Sequence, residues 1–333
     1  MKNFIVTGGA GFIGSHLVEL LVSKDAKVVV LDKFTYATKQ QSNVLQNEKV
    51  LSLTIDLASR RHVFGQAEKI QQFFSHEPFS IFHLAAESHV DRSINSGDEF
   101  VLSNVLGTQV MLDFSAEYRA EKFLHVSTDE VYGSLIEGEA DETNPLNPSS
   151  AYSATKAGSD LLVSAHRSTF ASRTVITRCV NNFGPRQSLE KFIPRAISTA
   201  ILGLPVPIYG TGENIREWIY VKDHCKILYE VMLNGAIGEI YNIGSGARLS
   251  NLEVIDAIEN QIGKAIQRKF VDDRKGHDFR YALDSRKINQ ILPNIEFTSF
   301  QEGMIQTLKY YQEYSLTPEF RLEFSEIEEF YEN

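Results

Sequence analysis

Tyr152 and Lys156 stand four residues apart, just after Asn147-Pro148-Ser149-Ser150, a run that suits a helix start. A helix there presents both side chains on one face. A tyrosine normally loses its proton near pH 10, and a neighbouring ammonium favours the phenolate. Such a pair can accept a proton from a hydroxyl while hydride leaves the same carbon, although by itself Tyr-x-x-x-Lys occurs often on surface helices. Upstream, an apolar run ending in Ser127-Thr128 delivers two adjacent carboxyls, Asp129 and Glu130. Placed in different surroundings, one carboxyl can stay protonated as an acid while the other stays ionised as a base. The same pair could equally cap a turn.

A second chemical signature opens the chain. Thr7-Gly8-Gly9-Ala10-Gly11-Phe12-Ile13-Gly14 follows a β-type run and begins an amphipathic segment, the context in which a glycine motif gains meaning. Glycine there permits a tight turn, lets backbone N–H groups approach a pyrophosphate and allows close helix–strand packing, while the helix N-terminus offers positive potential. Asp32 ends the next β-type run, where an acidic residue accepts hydrogen bonds from an adenosine ribose and repels a ribose phosphate. NAD is thus favoured over NADP, with the adjacent Lys33 leaving the second open. Asp56 ends a third such run and either meets the adenine or caps the following helix.

These groups need a scaffold. Short β-branched or aromatic runs at 3–7, 27–32, 50–55, 81–85, 122–127 and 173–179 alternate with helical patterns at 12–23, 98–118 and 150–170. That alternation predicts βαβ units and an α/β fold, a Rossmann-type doubly wound parallel sheet with its ligands at the carboxyl ends of the strands. After residue 180, prolines 185, 194, 205 and 207 punctuate shorter segments. A smaller substrate-binding lobe is expected over 181–333 after an NAD-binding domain over 1–180, with segments near 217–245 rejoining the first sheet. The tail from Arg321 carries five glutamates and reads as a solvated helical end.

Composition narrows the function class. The 333 residues carry 33 Lys+Arg and 43 Asp+Glu, a net charge of −10. That balance argues against nucleic acid or an anionic membrane surface as a partner. The two cysteines, Cys179 and Cys225, have neither disulfide-framework nor zinc-ligand spacing, so no metal site is expected and a cytoplasmic setting fits. His83 and His89 read as structural histidines, and Cys179 and Trp218 as core.

The chain resembles the extended short-chain dehydrogenase/reductase family, and within it the dTDP-glucose 4,6-dehydratases. The resemblance runs nearly full length through TGGAGFIGSH (7–16), LDKFTYA (31–37), LAAESHVDRSI (84–94), STDEVYG (127–133), YSATK (152–156), RCVNNFGP (178–185), EKFIP (190–194), NIREWIYVKDHC (214–225), YNIGS (241–245) and DRKGHDFRYALD (273–284). It implies a lyase that loses water from dTDP-glucose, giving the 4-keto-6-deoxy sugar by internal hydride transfer through bound NAD. In that mechanism hydride leaves C4 as Tyr152, aided by Lys156, takes the hydroxyl proton and Thr128 orients the C4 oxygen. Glu130 then removes the C5 proton, Asp129 protonates the departing C6 hydroxyl, and hydride returns to C6.

By the same resemblance the cofactor falls to Gly8, Gly11, Phe12, Ile13, Gly14, Asp32, Lys33, Thr35, Asp56, Leu57, Leu84, Ala85, Ala86, Ser88, Ser103, Tyr152, Lys156 and Asn182. The nucleotide sugar falls to Ser88, Thr128, Asn181, Lys191, Phe192, Pro207, Tyr209, Arg216, Asn251, Arg274 and His277. A homodimer through the helical segments 98–118 and 150–170 is also implied. Some positions depart from the pattern. Arg186 replaces an aromatic residue, Ser188-Leu189 replaces an aromatic or His followed by Pro, Ala151 replaces proline, Ser103 replaces threonine and Lys275 stands where many members have proline. The departures at 186–189 border the nucleotide pocket and leave thymidine and uridine both open. Epimerases and decarboxylases on the same scaffold share the glycines, Tyr152 and Lys156, but have no need of the Asp129-Glu130 pair.

Overall fold

The computed structural model describes residues 2–35, 38, 42–273 and 276–332. The first half gives β1 (Asn3–Thr7), α1 (Phe12–Ser23), β2 (Lys27–Asp32), β3 (Val50–Thr54), α2 (Arg60–Gly65), α3 (Ala67–Phe73), β4 (Ser80–His83), α4 (Val90–Asn95), α5 (Asp98–Phe100), α6 (Gly107–Glu117), β5 (Phe123–Thr128), α7 (Ala151–Phe170) and β6 (Thr174–Cys179). There follow β7 (Asn181–Phe183), α8 (Phe192–Ile201), β8 (Val206–Tyr209), β9 (Ile215–Tyr220), α9 (Val221–Asn234), β10 (Ile240–Ile243), β11 (Arg248–Ser250), α10 (Asn251–Ile262), β12 (Arg268–Val271), α11 (Arg286–Ile291), α12 (Phe300–Tyr314) and α13 (Pro318–Glu332).

Seven parallel strands form one sheet in the order β10-β6-β5-β4-β1-β2-β3. The chain builds outward in opposite directions from the β1–β4 junction, and that reversal leaves a crevice at the carboxyl ends of the two strands. Both faces of the sheet are apolar, as a covered parallel sheet requires. Val6, Val28 and Val30 pack with Leu17 and Leu21 of α1 and Leu228 of α9. On the other face Ile5, Val29 and Ile81 pack with Met111 and Phe114 of α6 and Val163 of α7.

Of the two later segments expected to rejoin this sheet, Ile240–Ile243 stands at its edge on β6. Ile215–Tyr220 does not: it is the middle strand of a separate three-stranded sheet, order β11-β9-β7. With β6 already flanked by β5 and β10, no edge remains there for β9 to join. That small sheet, with α8, α10, α12 and α13, encloses a further core around Trp218, Ile193, Val254, Met304 and Tyr311. The acidic tail is likewise not simply solvated, because Phe320 and Ile327, seven apart and so two turns along one helix face, are buried in that core. The stretch expected as one helix over 98–118 is α5 and α6 joined by a π-helical turn at Val101–Leu106. No helix among the described residues is long and apolar enough to cross a membrane.

Candidate active site

A cleft of about 320 Å3 opens at the β1–β4 crevice. Its floor is the glycine loop: Gly8 has φ +68°, and a Cβ there would lie 2.8 Å from Ala85 Cα, while a Cβ on Gly14 would lie 2.1 Å from Gly8 O. Side chains at those positions would displace backbone, so the turn needs glycine to bring Phe12, Ile13 and the start of α1 under the cleft. Asp32 closes the β2 end and is buried, with Oδ2 accepting Ala10 N–H at 3.0 Å and Oδ1 accepting Phe34 N–H at 2.8 Å. Burial raises its carboxyl above the usual range, and the backbone N–H donors oppose that shift.

Lys33, Thr35, Asp56 and Leu57 complete this end, with Leu84, Ala85, Ala86, Ser88 and Ser103 opposite them. Lys33 Nζ lies 3.7 Å from Asp56 Oδ2, and Asp56 also accepts Ala58 N–H at 3.0 Å, so the carboxylate both caps a turn and lines the cleft. A loop of backbone amides at a helix start and a buried ribose-type carboxylate together fit a dinucleotide.

At the other end the chemical groups converge. Ser150 caps α7 in a reciprocal pair with Ser153, so the helix begins one residue before Tyr152. Tyr152 and Lys156 both line the cleft. Lys156 Nζ donates to Val126 O at 2.8 Å, and burial lowers its pKa to about 8 against the opposing pull of Asp160. Thr128 ends β5, donates to Asp129 Oδ1 at 3.1 Å and accepts Glu130 N–H at 3.2 Å, bending the chain into a 3-10 turn at Asp129–Tyr132.

Asp129 is buried, and desolvation followed by the charges of Glu130 and Glu217 pushes its carboxyl well above the ordinary value. That environment favours its protonated form. Tyr152 is also pushed up, by burial and then by Glu130 and Asp129, while a hydrogen bond with the Thr128 side chain pulls the other way. The sequence expectation of a tyrosine lowered by its lysine is thus opposed: burial first, and then the two carboxyls, push it the other way, while the ammonium faces Val126 O.

Beneath this site lies a buried polar network. His83 bridges Thr7 Oγ1 and Thr108 Oγ1 at 2.8 and 2.9 Å, and its ring stacks on His125. Arg178 links Asp160, at 2.8 Å, to the Tyr132 hydroxyl, also at 2.8 Å. Burial lowers His83 well below its usual range and His125 to about 4, so both are neutral scaffold rather than proton shuttles at pH 7.

Of the expected substrate residues, Ser88 and Lys191 line the cleft, and the other described ones lie outside its lining. Lys191 lines the cleft and donates to Ser88 O at 2.6 Å. Tyr209 packs edge-on against His277, 6.2 Å between ring centres, and His277 pairs with Asp273 at 2.6 Å. Phe192 stacks on Trp218, with ring centres 6.4 Å apart. Arg216 is buried, with donors to Asp278 O, Ile215 O and Phe279 O and its guanidinium over the Tyr281 ring, so it braces the 278–281 loop. Asn251 opens α10 and bonds Asn214 through its backbone, Pro207 lies in β8 beside Lys269, and Asn181 faces Trp218 across β7 and β9. Arg274 lies outside the described residues.

Asn182, expected at the cofactor, does not line the cleft: its amide bonds Val180 O, Cys179 Sγ and His224 Nδ1 instead. Asn104 was not visible as a site residue. It is buried in the π-helical turn, accepts Glu87 N–H at 2.8 Å, and donates to Glu87 O and Thr155 Oγ1 at 3.0 Å each. It thereby ties the 84–88 wall to the helix of Tyr152. Glu190 and Gln187 also line the cleft, and Glu190's place beside Lys191 in EKFIP was the available signal.

With this geometry in hand, similarity to known proteins becomes informative. A family model described as GDP-mannose 4,6 dehydratase matches residues 5–307. The chain is 46% identical to the low-salt glycan biosynthesis protein Agl12 of Haloferax volcanii, over 92% of this chain and 97% of that protein. It is 42% identical to a dTDP-glucose 4,6-dehydratase of Streptomyces niveus, over 93% and 92%. Among solved structures, DesIV, a dTDP-glucose 4,6-dehydratase from Streptomyces venezuelae with NAD and TYD bound, superposes with a TM-score of 0.87 at 39% identity, covering 94% of this chain and 97% of that one.

Proposed function

Because the chain belongs to the GDP-mannose 4,6 dehydratase family, we propose that it is an NAD-dependent nucleotide-sugar 4,6-dehydratase, a lyase converting dTDP-glucose to dTDP-4-keto-6-deoxyglucose and water. Relatives named dTDP-glucose 4,6-dehydratase, and the DesIV structure with NAD and TYD, support the choice of cofactor and substrate. The observation that carries the reading is the raised, buried Asp129 beside Glu130 and Tyr152. Nucleotide-sugar epimerases share this fold, as a UDP-glucose 4-epimerase from Thermus thermophilus at 29% identity illustrates. Their chemistry does not call for an acid–base pair of carboxyls.

NAD, held by the glycine loop and Asp32, would supply the hydride acceptor for oxidation at the sugar C4 and the hydride for reduction at C6. Tyr152 takes the C4 hydroxyl proton, Lys156 supplies positive charge behind it, and Thr128 holds the C4 oxygen. The C4 carbonyl acidifies the C5 hydrogen, which Glu130 removes. Asp129, kept protonated by its surroundings, gives its proton to the departing C6 oxygen. The glycine loop, Asp32 and the 84–88 wall hold the dinucleotide, while Lys191, Arg274 and His277 offset the diphosphate charge.

On this reading residues 1–180 with Ile240–Ile243 form the cofactor domain and the remainder of 181–333 mainly the sugar lobe. Exposed Val101, Leu102, Leu106 and Leu161 support pairing of two copies through α6, its preceding turn and α7. Two free, buried cysteines suit a cytoplasmic setting.

The test is to incubate the protein with dTDP-, UDP-, CDP- and GDP-glucose and weigh the products. A dTDP product lighter by one water, without net consumption of cofactor, is the expected result. Unchanged mass with altered stereochemistry overturns the reading in favour of epimerisation, and dehydration of the UDP sugar alone reassigns the base.

A further inference from the structure

The last helix, α13, lies beyond the residues 5–307 that the family model matches, yet it packs on segments that flank the cleft-lining residues Ser88, Ser188, Glu190 and Lys191. Phe320 and Ile327 anchor it in the core of the second lobe. Buried Glu323 accepts the Leu189 N–H at 3.0 Å and the Tyr314 hydroxyl at 2.8 Å. Position 189 is one where the resembled enzymes carry proline, which has no N–H to give. Leucine supplies the donor that α13 takes.

The far end of α13 makes a second grip. Glu328 pairs with Arg195 at 2.6 Å, and the Arg195 guanidinium lies 4.5 Å from the Tyr331 ring centre. Arg92 lies over Phe330 at 4.6 Å and donates from Nε to Glu190 Oε2 at 3.0 Å. The Tyr331 hydroxyl donates to Asp91 Oδ2 at 3.2 Å, the same oxygen that takes the Tyr209 hydroxyl at 3.3 Å. One helix thus joins two segments next to the cleft lining, 91–92 after Ser88 and 189–195 around Glu190 and Lys191.

We propose that α13 is a substrate-positioning element that holds the 188–191 segment and Tyr209 in their binding arrangement, with Tyr331 a positioning residue acting through Asp91 and Tyr209. The proposal rests on reading the cleft as a nucleotide-sugar site. Its contacts lie away from the groups assigned to the reacting carbons, so they favour ground and transition state alike and govern KM rather than kcat. Holding loops in place before binding removes an ordering cost from association.

The experiment compares the full chain, loaded with NAD, with Tyr331→Phe, the double variant Phe330→Ala/Tyr331→Ala, and Leu322→Ala, an exposed position on the same helix. Affinity for dTDP is measured by calorimetry, and turnover is measured with dTDP-glucose. The double variant is expected to weaken dTDP binding and raise KM about tenfold with kcat within twofold, Tyr331→Phe to show roughly a threefold effect, and Leu322→Ala none. Parental KM and dTDP affinity in the double variant overturn the proposal. So does a loss of kcat and thermal stability at unchanged KM, which marks α13 as packing alone. If the parent chain itself binds no dTDP, the functional reading falls and the proposal with it, a result distinct from the other two.

Discussion

Lys156 Nζ bonds Val126 O at 2.8 Å, so the lysine one turn beyond Tyr152 is fastened to the strand that, two residues further on, begins Thr128-Asp129-Glu130. The groups assigned to oxidation and to elimination therefore share one mechanical joint. A shift of α7 against β5 moves both together.

That joint has a stability cost with a definite pH dependence. Lys156 titrates at about 8 in the folded chain, against about 10.4 unfolded. Below pH 8 the penalty is fully present; between the two values the unfolded chain binds a proton the folded one does not, so stability rises with pH. Lys156→Met is expected to abolish turnover yet to be more stable than the parent at pH 7 by on the order of 1–2 kcal/mol, once the lost bond to Val126 O is allowed for. Urea unfolding at pH 7 and pH 9.5 checks this. The advantage should shrink at the higher pH, and a pH-independent gap would contradict the assignment.

Glu130→Gln should separate the half-reactions. Turnover is expected to fall by about 10²–10⁴-fold, while mixing with dTDP-glucose still produces the absorbance of reduced cofactor. Normal product formation in this variant removes Glu130 from the role of base.

Asn104→Ala removes a buried side chain that accepts the Glu87 N–H and donates to Glu87 O and Thr155 Oγ1. A loss of about 1–3 kcal/mol in unfolding free energy is expected, together with weaker NAD retention as the 84–88 wall loosens. Unchanged stability and retention would show that Asn104 does not hold that wall.

Arg186 ties the loop after β7 to α1 and, through Glu19, to Ser42. Its Nη2 donates to His16 Nδ1 and Glu19 Oε2, each at 2.9 Å, and Glu19 also accepts Ser42 Oγ. Burial and the Arg186 charge lower His16 to about 4, so its ring is neutral at pH 7, accepting at Nδ1 and donating from Nε2 to Pro185 O. Arg186 adopts φ +68° to make this contact. Arg186→Met and Arg186→Gly should both lose NAD on dialysis about tenfold faster, but only the glycine relieves the backbone strain, of roughly 1–2 kcal/mol. Thermal shift and residual NAD content separate the two effects; parental NAD retention in both variants would dismiss the clasp.

What the sequence revealed depended on how local the cause was. Gly8, Gly14 and Asp32 were legible because a tight turn and a strand end impose their demands within a few residues. Asn104 was not, since its partners Glu87 and Thr155 lie 17 and 51 positions away. The acidic tail concealed Phe320 and Ile327 because its glutamates dominate the composition, and one of them, Glu323, is itself in the buried stripe. Tyr152 was read from its lysine four positions away; the burial and the carboxyls that raise it arise only through the fold. The placement of β9 was missed for a similar reason, because strand order is settled by which edges are already occupied.

The stacking of Phe192 on Trp218 has a practical side. The chain holds one tryptophan, and its indole sits in the second lobe against a ring expected to meet the nucleotide sugar. Excited at wavelengths the 13 tyrosines do not absorb, that single indole reports on the second lobe alone, and titrations can be followed optically without attaching any label.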